Sequence, residues 1–294
     1  MIQMQMAINK DHFEGHTDVT CYSCHRGSHD PVAVPIISDE ESKPPTVAAA
    51  STPQPGSPAT APSPGGAPQQ RPSADPILNK YVQALGGAEA IQKVSSRIEK
   101  GNMTFARGQQ PVEVFAKAPD KRITVVHQQN GDNVTAYDGH AGWLGTPRRP
   151  ARDMSDQEND AVRLDADLHF ATDLKQIFSQ FRVGRPEKIG DRQTAVVFAV
   201  RQGLPPVRLY FDQESGLLLR LVRYAETPLG RNPTEIDYAD YRDAGGVKIP
   251  YRWTIARPGG RFTIQVDQVQ ENVAIDDAKF AKPATAAPAA EPAK

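Results

Sequence analysis

The sequence predicts an α+β fold in which one strongly curved antiparallel sheet carries helices on its concave face. Three observations support this prediction. Short segments of alternating apolar and polar residues recur from residue 112 onward, and turn signals separate them. Two helical stretches, near 75–85 and over 155–181, flank or interrupt the strand blocks. This order of elements is typical of a single sheet covered by helices on one side.

The chain begins with a helical segment over residues 2–13. Ile2, Met6 and Ile8 make this segment mostly apolar, and Gly15 is a helix stop signal. A sequence motif rich in cysteine follows within a few residues of that stop. The helix and the motif together predict a small unit that precedes the sheet domain.

The stretch Cys21-Tyr22-Ser23-Cys24-His25 contains both cysteines of the chain. Two thiols at this spacing can each form a thioether with a heme vinyl group, and the next histidine then binds the iron. A chance match to the motif is rare, on the order of one chain in a thousand at ordinary residue usage. The motif therefore predicts a covalent heme c on Cys21 and Cys24, with His25 as the proximal iron ligand.

Three other interpretations of the two cysteines compete with heme attachment. A thioredoxin-like redox pair requires a βαβ context, which residues 1–40 lack. A plain disulfide would be strained at this spacing. Zinc could be bound by both cysteines together with two of four nearby histidines, although their spacing matches no common zinc finger. These histidines are His12, His16, His25 and His29.

Composition divides the chain into four parts. Residues 1–37 form the predicted heme-binding segment. Residues 38–75 are rich in proline and alanine and contain no aromatic residue, which predicts a disordered linker. Residues 76–283 form the globular domain, and residues 284–294 form a predicted disordered tail.

The elements of the globular domain can be placed from local signals. The first helix runs from Asp75 to Leu85, and Gly86-Gly87 ends it. The stretch 155–181 starts with a capping-box pattern from Ser155 to Glu158. The clearest strand signals are the alternating segments 112–118, 207–212, 251–255 and 261–266.

A curved sheet must cover its apolar concave face, because a large exposed apolar patch promotes association. The helical segments 77–94 and 155–181 are the ones available to cover it. We expect them to leave a modest apolar pocket near Phe170, Phe178 and Trp253, with room for an acyl chain.

Composition and motifs also exclude several functions. The net charge of −1 argues against a nucleic acid partner, which would require a basic surface. The globular domain contains no G-x-S-x-G, no H-E-x-x-H and no cysteine, and its histidines are scattered. We therefore expect that the protein is not an enzyme.

The start of the sequence lacks the basic and long apolar regions of a signal peptide. Covalent heme attachment nevertheless takes place outside the cytoplasm, and some 35 residues are too few to bury a heme. We therefore expect the sequence to begin inside a longer protein. The expected location is the periplasm, with membrane association through a missing N-terminal anchor.

The segment from Met1 to Gly27 resembles the last heme segment of the photosynthetic reaction-centre cytochrome c subunit family. The resemblance rests on the C-x-x-C-H motif, the helix before it and the M-x-x-M pair of Met1 and Met4. In that family such a methionine is the second iron ligand, which implies Met1 or Met4 as the sixth ligand here. Rival ligands are Met6, His12, His16 and His29.

The globular domain, from Tyr81 to Phe280, resembles the periplasmic outer-membrane lipoprotein-sorting superfamily. The resemblance is one of pattern, and it implies an unclosed β-barrel whose apolar cavity holds lipid acyl chains. No ligand-contacting residue can be transferred from that family to this chain.

Two main hypotheses follow. The first is a c-type cytochrome that transfers single electrons between redox partner proteins in the periplasm. The alternative is a periplasmic lipid or lipoprotein carrier with a vestigial heme segment, whose partner would be a lipid or a membrane surface. A third hypothesis, an oxidoreductase that binds substrate against the heme, requires a convergent polar pocket that the sequence does not indicate.

Overall fold

The computed structural model describes residues 2–20, 23, 25, 72–106, 108–227 and 230–283. Most of the predicted linker and the whole predicted tail lie outside these residues, and the four-part division of the chain remains a prediction. None of the helices within the described residues is both long and apolar enough to cross a membrane.

The first helix, α1 (Ile2–His12), agrees with the predicted helix to within one residue. The chain reverses after it through Glu14 and Gly15, both of which have positive φ. Glycine adopts this conformation without steric cost, which explains why the stop signal was reliable.

The described residues of the domain that follows form a single sheet of fourteen antiparallel strands. The strands are β1 (Ser96–Phe105), β2 (Gly108–Lys117), β3 (Lys121–Val126), β4 (Asn133–Asp138), β5 (Gly142–Thr146), β6 (Arg149–Asp153), β7 (Gln180–Val183), β8 (Glu187–Ile189), β9 (Arg192–Val200), β10 (Val207–Asp212), β11 (Leu218–Thr227), β12 (Gly230–Ala244), β13 (Val247–Arg257) and β14 (Gly260–Glu271). Their order is β6-β5-β4-β3-β2-β1-β14-β13-β12-β11-β10-β9-β7, and β8 pairs with β9. Because β6 and β7 lie at opposite ends of this order, the described sheet is not closed.

Four α-helices and one short 3₁₀ helix accompany the described strands. The α-helices are α2 (Asp75–Ala84), α3 (Ala88–Gln92), α4 (Asp156–Ala166) and α5 (Phe170–Ile177), and the 3₁₀ helix spans Asp277–Phe280. Apolar side chains of α2, α4 and α5 pack against the inward residues of β10, β11 and β12 in the main core. The predicted position of the helices on one face of the sheet is therefore confirmed.

The sheet is strongly curved, and contacts of α4 demonstrate this. In the strand order, five strands separate β3 from β11, so a flat sheet would hold the two roughly 29 Å apart. Arg122 of β3 and Arg223 of β11 nevertheless both contact Asp165 of α4. A bulge where β1 pairs with β14 contributes to the bend. Gly101 lies at this bulge, and a side chain there would collide with the carbonyl of Gln265.

The predicted helical stretch 155–181 is wrong as a single element. It forms two helices, α4 and α5, and its last residues belong to β7. The break has a local cause, because the Asp167 side chain accepts a hydrogen bond from the backbone N–H of His169 at 2.9 Å. Such a turn competes with helix continuation. The predicted capping box at Ser155 and Glu158 is confirmed at the start of α4.

A separate small core covers the outer face of the sheet. Trp143 of β5 packs with Phe115, Ile123, Ile275 and Phe280, and its indole Nε1 donates to the Phe280 carbonyl at 2.9 Å. The 3₁₀ helix at the end of the domain thus closes over strands β2 to β5. Trp143 is therefore a core residue of this outer cluster.

Candidate functional site

The segment before the cysteine motif is organised around Asn9, which is only 5% exposed. Its side chain accepts a hydrogen bond from the backbone N–H of Val19 at 2.8 Å and donates one to the Val19 carbonyl at 2.7 Å. The Asn9 carbonyl also accepts from the N–H groups of Phe13 and Gly15. These hydrogen bonds hold the two ends of the loop between Asn9 and Val19 together. They thereby position the chain that leads into the motif.

The described part of the motif forms a tight turn. The backbone N–H of Ser23 donates to the Thr20 carbonyl at 3.1 Å, and the Ser23 hydroxyl accepts from the Thr20 N–H at 3.0 Å. His25 is helical and partly buried. Its ring makes no hydrogen bond to any other described residue, so an iron ligand role would break no hydrogen bond among the described residues.

The remaining predicted heme residues are distributed as follows. Cys21, Cys24 and Met1 lie outside the described residues. Met4 lies on α1 and is 50% exposed. The donor set of two thiols, one imidazole and a nearby thioether fits the chemistry of a covalent heme. Within the described ranges, no group of three or more His, Cys, Asp or Glu side chains could hold a metal ion.

The second candidate site is a cavity of about 460 Å³ on the concave side of the sheet. Helices α2 to α5 cover it, and strands on both sides of the bend form its walls. Most of its lining is apolar, including Leu85, Ile91, Met103, Val126, Leu144 and Ile264. The volume lies within the roughly 300–1,000 Å³ that small-molecule sites occupy.

Two of the three predicted pocket residues line this cavity. Phe170 of α5 and Trp253 of β13 do so. Phe178 does not, and its prediction was wrong. Phe178 is 2% exposed and packs edge-on against Phe181, with ring centroids 6.0 Å apart. It directly follows α5 and therefore fills the space between that helix and the edge of the sheet.

Three charged residues of the cavity lining are connected by hydrogen bonds. Arg223, which is 8% exposed, donates to both carboxylate oxygens of Asp165 at 2.5 and 2.9 Å. Arg122 donates to the Asp165 carbonyl at 3.3 Å and lies over the Trp253 ring at 5.7 Å. Burial lowers the pKa of Arg223, but the charge and hydrogen bonds of Asp165 outweigh it and leave that pKa raised.

Glu99 of β1 adds a buried carboxyl group to the same cavity. It is 4% exposed, and burial raises its pKa, although the charges of Arg122 and Arg97 oppose this effect. Arg97 itself is paired with Glu271 at 2.7 Å. The site therefore combines an apolar chamber with a compact polar zone, which suits an amphiphilic ligand.

The predictions from the sequence did not include these charged residues. A signal was available, because Arg223 occurs two positions after the buried Leu221 on the same face of β11. A charged residue on the apolar face of a strand is rarely accommodated without a partner. Its partner could not be identified, since Asp165 is 58 residues away in the chain.

Comparisons with known proteins separate the two regions of the chain. The profile of the family described as photosynthetic reaction centre cytochrome C subunit matches residues 1–62. This is the region that contains the C-x-x-C-H motif. No curated protein matches the chain.

The sheet domain is similar to solved structures. A DUF1329 family protein from Desulfovibrio piger has a TM-score of 0.51 at 10% identity, over 71% of this chain and 97% of that one. This similarity concerns the fold alone. A putative outer membrane lipoprotein-sorting protein domain from Vibrio parahaemolyticus has a TM-score of 0.49 at 12% identity, over 71% and 98% of the two chains. A LolA superfamily protein from Nitrosomonas europaea has a TM-score of 0.48 at 14% identity, over 71% and 97%.

Proposed function

We propose that this chain is a c-type cytochrome that transfers single electrons in the periplasm through a covalently bound heme. The observation that carries the proposal is the Cys21–His25 motif inside the segment that matches the cytochrome family. The proposed role is electron transfer between redox partner proteins, without enzymatic turnover. The absence of a catalytic motif in the sequence of the globular domain supports this last point.

In this proposal each residue of the segment has a defined task. Cys21 and Cys24 hold the heme covalently, and the His25 imidazole binds the iron. Met4 or Met1 supplies the sixth ligand from the helix or its start. The heme, when bound, supplies the one-electron couple of its iron, and a thioether ligand raises the reduction potential. The hydrogen bonds of Asn9 to Val19 fix the loop that carries the motif relative to α1.

Heme staining tests the proposal directly. The full chain is exported to the periplasm of cells that contain a cytochrome maturation system, and denatured protein is stained for covalent heme. We expect staining and a Soret band for the natural sequence and neither for Cys21→Ala/Cys24→Ala. Ser23→Ala is the matched control, because it lies in the same turn and provides no heme bond. A stained band in the double variant would contradict the assignment.

A methionine substitution series identifies the sixth ligand. If Met4 binds the iron, Met4→Leu removes the weak near-infrared band of methionine-ligated ferric heme and lowers the potential. Met6→Leu, on the same helix, leaves both unchanged. A band that persists in both Met4→Leu and Met1→Leu would point to Met6 instead, whereas absence of the band from the natural protein would point to a histidine ligand.

The cavity supports a second function for the sheet domain, which we propose binds the apolar chain of a lipid. The carrying observation is the mostly apolar cavity of about 460 Å³ beneath α2 to α5. The lipoprotein-sorting name of one similar structure agrees with this proposal but does not carry it. The test is binding of a fluorescent fatty acid to the full chain.

A cavity-filling variant makes this test specific. Ala161 of α4 lines the cavity, so Ala161→Phe should reduce fluorescent fatty acid binding at least several-fold. Gln157→Phe is the matched control, because Gln157 lies on the same helix and is exposed. Equal binding by both variants would show that the fatty acid does not occupy the cavity.

A further inference from the structure

Two arginines of the cavity lining, Arg223 and the solvent-exposed Arg257, lie at the same level of the sheet. Arg223 of β11 is paired in register with Thr234 of β12, and Ala256 of β13 is paired with Glu235. Continuing this register by one residue places Arg257 beside Thr234 on the opposite side. The two arginine backbones therefore lie roughly 10 Å apart, two strand spacings across β12.

The two arginines differ in their surroundings. Arg223 is buried and held by Asp165. Arg257 is the last residue of β13 and is exposed to solvent, yet it also lines the cavity. It forms no ion pair with any described side chain. Partial removal from water and then the charge of Arg223 lower the pKa of Arg257, while Asp165 opposes this effect.

The charges around this level do not balance. Arg122, Arg223 and Arg257 line the cavity. Among the described residues, Asp165 provides the carboxylate that binds Arg223 and the backbone carbonyl that binds Arg122. Burial raises the pKa of the Glu99 carboxyl group, and the nearby charges of Arg122 and Arg97 oppose this effect. The other carboxyl groups of the lining have their own partners. The Glu158 carboxylate forms an ion pair with Arg152. The Asp167 carboxylate accepts a hydrogen bond from the backbone N–H of His169.

From this arrangement we propose that the cavity selects amphiphiles with an anionic head group, carboxylate or phosphate, which Arg257 and Arg223 bind. The inference rests on the proposed binding of an apolar chain inside the cavity. An anionic group between the two guanidinium groups would relieve their mutual repulsion and accept charge-assisted hydrogen bonds from both.

The experiment compares ligands that share one chain length and differ in head group. Binding of palmitate, hexadecyl phosphate and monopalmitoyl glycerol to the full chain is measured by calorimetry below their micelle concentrations. We expect both anions to bind at least tenfold more tightly than the neutral ligand. The ratio of the two anions shows which head group is preferred, and either preference supports the proposal.

Substitutions locate the effect. Arg257→Gln should weaken binding of both anions about tenfold and leave monopalmitoyl glycerol unchanged, as expected for one lost charged contact. Arg252→Gln is the matched control, because Arg252 is an exposed arginine of the same strand that does not line the cavity. It should change none of the three affinities.

Two outcomes would overturn the inference and remain distinguishable. Equal affinity for neutral and anionic ligands, or anion binding that is insensitive to Arg257→Gln, would refute head-group selection while chain binding stands. No binding of any of the three ligands would refute chain binding and this inference together.

Arg257 is exposed, so its substitution is not expected to impair folding.

Discussion

Asp165 is the residue that joins the two sides of the curved sheet. Its carboxylate holds Arg223 and its carbonyl accepts from Arg122, and these arginines belong to strands far apart in the sheet order. The Arg223 side chain is 9% exposed and the Asp165 side chain 33%. Loss of one partner of such a buried pair costs more than the pair contributes, because it leaves a charge without compensation.

We therefore expect Asp165→Ala to lower the free energy of unfolding by about 3 kcal/mol. Chemical denaturation of the full chain measures it. Glu89→Ala is the control, since Glu89 forms an ion pair with Lys93 whose side chains are 86% and 71% exposed. That substitution should cost about 0.5 kcal/mol or less. The double variant Asp165→Ala/Arg223→Met should recover part of the loss, and a loss below about 1 kcal/mol for Asp165→Ala would contradict the argument.

Asp167 predicts a dependence of stability on pH. Burial, and then the charge of Asp173, raise the pKa of Asp167 from 3.8 to about 6. The folded state therefore holds this proton more tightly than the unfolded state. Stability from this group is complete below about pH 4 and is lost as pH rises toward 6.

The variant Asp167→Asn removes this loss and retains an oxygen that can accept from the His169 N–H. We expect it to be more stable than the natural protein at pH 7.5, by about 1 kcal/mol after allowance for solvent screening. The gain should shrink toward zero at pH 4. Thermal unfolding at both pH values measures it, and an equal gain at both would indicate a cause other than titration.

At the scale of elements, the start of α4 controls the position of Asp165. The Ser155 hydroxyl accepts from the Glu158 N–H, and the Glu158 carboxylate accepts from the Ser155 N–H. Hydrogen bonds from Arg152, and then those of Ser155, lower the pKa of Glu158 to about 2. The cap thus keeps its charge throughout the physiological range and orients a helix that forms part of the cavity wall.

Removal of this cap should lower the free energy of unfolding. Ser155→Ala should cost about 1 kcal/mol of unfolding free energy, because an N–H at the start of the helix loses its acceptor. Ser155→Asp preserves an acceptor and should remain within about 0.5 kcal/mol of the natural protein. Denaturant titration of the natural protein and the two variants measures these free energies of unfolding. Equal losses in both variants would show that the loss of stability does not come from the cap.

At the scale of the whole molecule, the sheet domain contains everything needed for its own core. Strand β1 near its start pairs with β14 near its end, and the core includes residues from Ala74 to Phe280. The Asp75 carboxylate also pairs with Lys175 of α5. Chain ends joined in this way favour a unit that folds independently.

Limited proteolysis tests this independence. We expect cleavage within the predicted linker, between residues 38 and 71, and a stable product that starts near residue 72. That product should unfold in a single cooperative transition at the same temperature as the sheet domain of the intact chain. Resistance of the linker, or a product that melts at a clearly lower temperature, would show that the first segment and the sheet domain depend on one another.

Local sequence was sufficient wherever a feature depends on neighbouring residues. The helix before the motif, the capping box at Ser155 and the alternation of inward side chains in β10 and β13 were predicted, because each follows from spacing over a few residues. The heme motif belongs to the same class, since its chemistry is complete within Cys21 to His25. Its prediction awaits the staining experiment.

Tertiary structure alone decided the composition of the cavity. Whether Phe170, Trp253 or Phe178 lines it depends on how far the sheet curls and where α5 ends, and Asp167 interrupts the helix by a turn that periodicity does not reveal. The partnership of Asp165 with Arg122 and Arg223 spans 43 and 58 residues. Strand alternation states which face a side chain occupies, but the curvature of the sheet decides which distant side chains meet there.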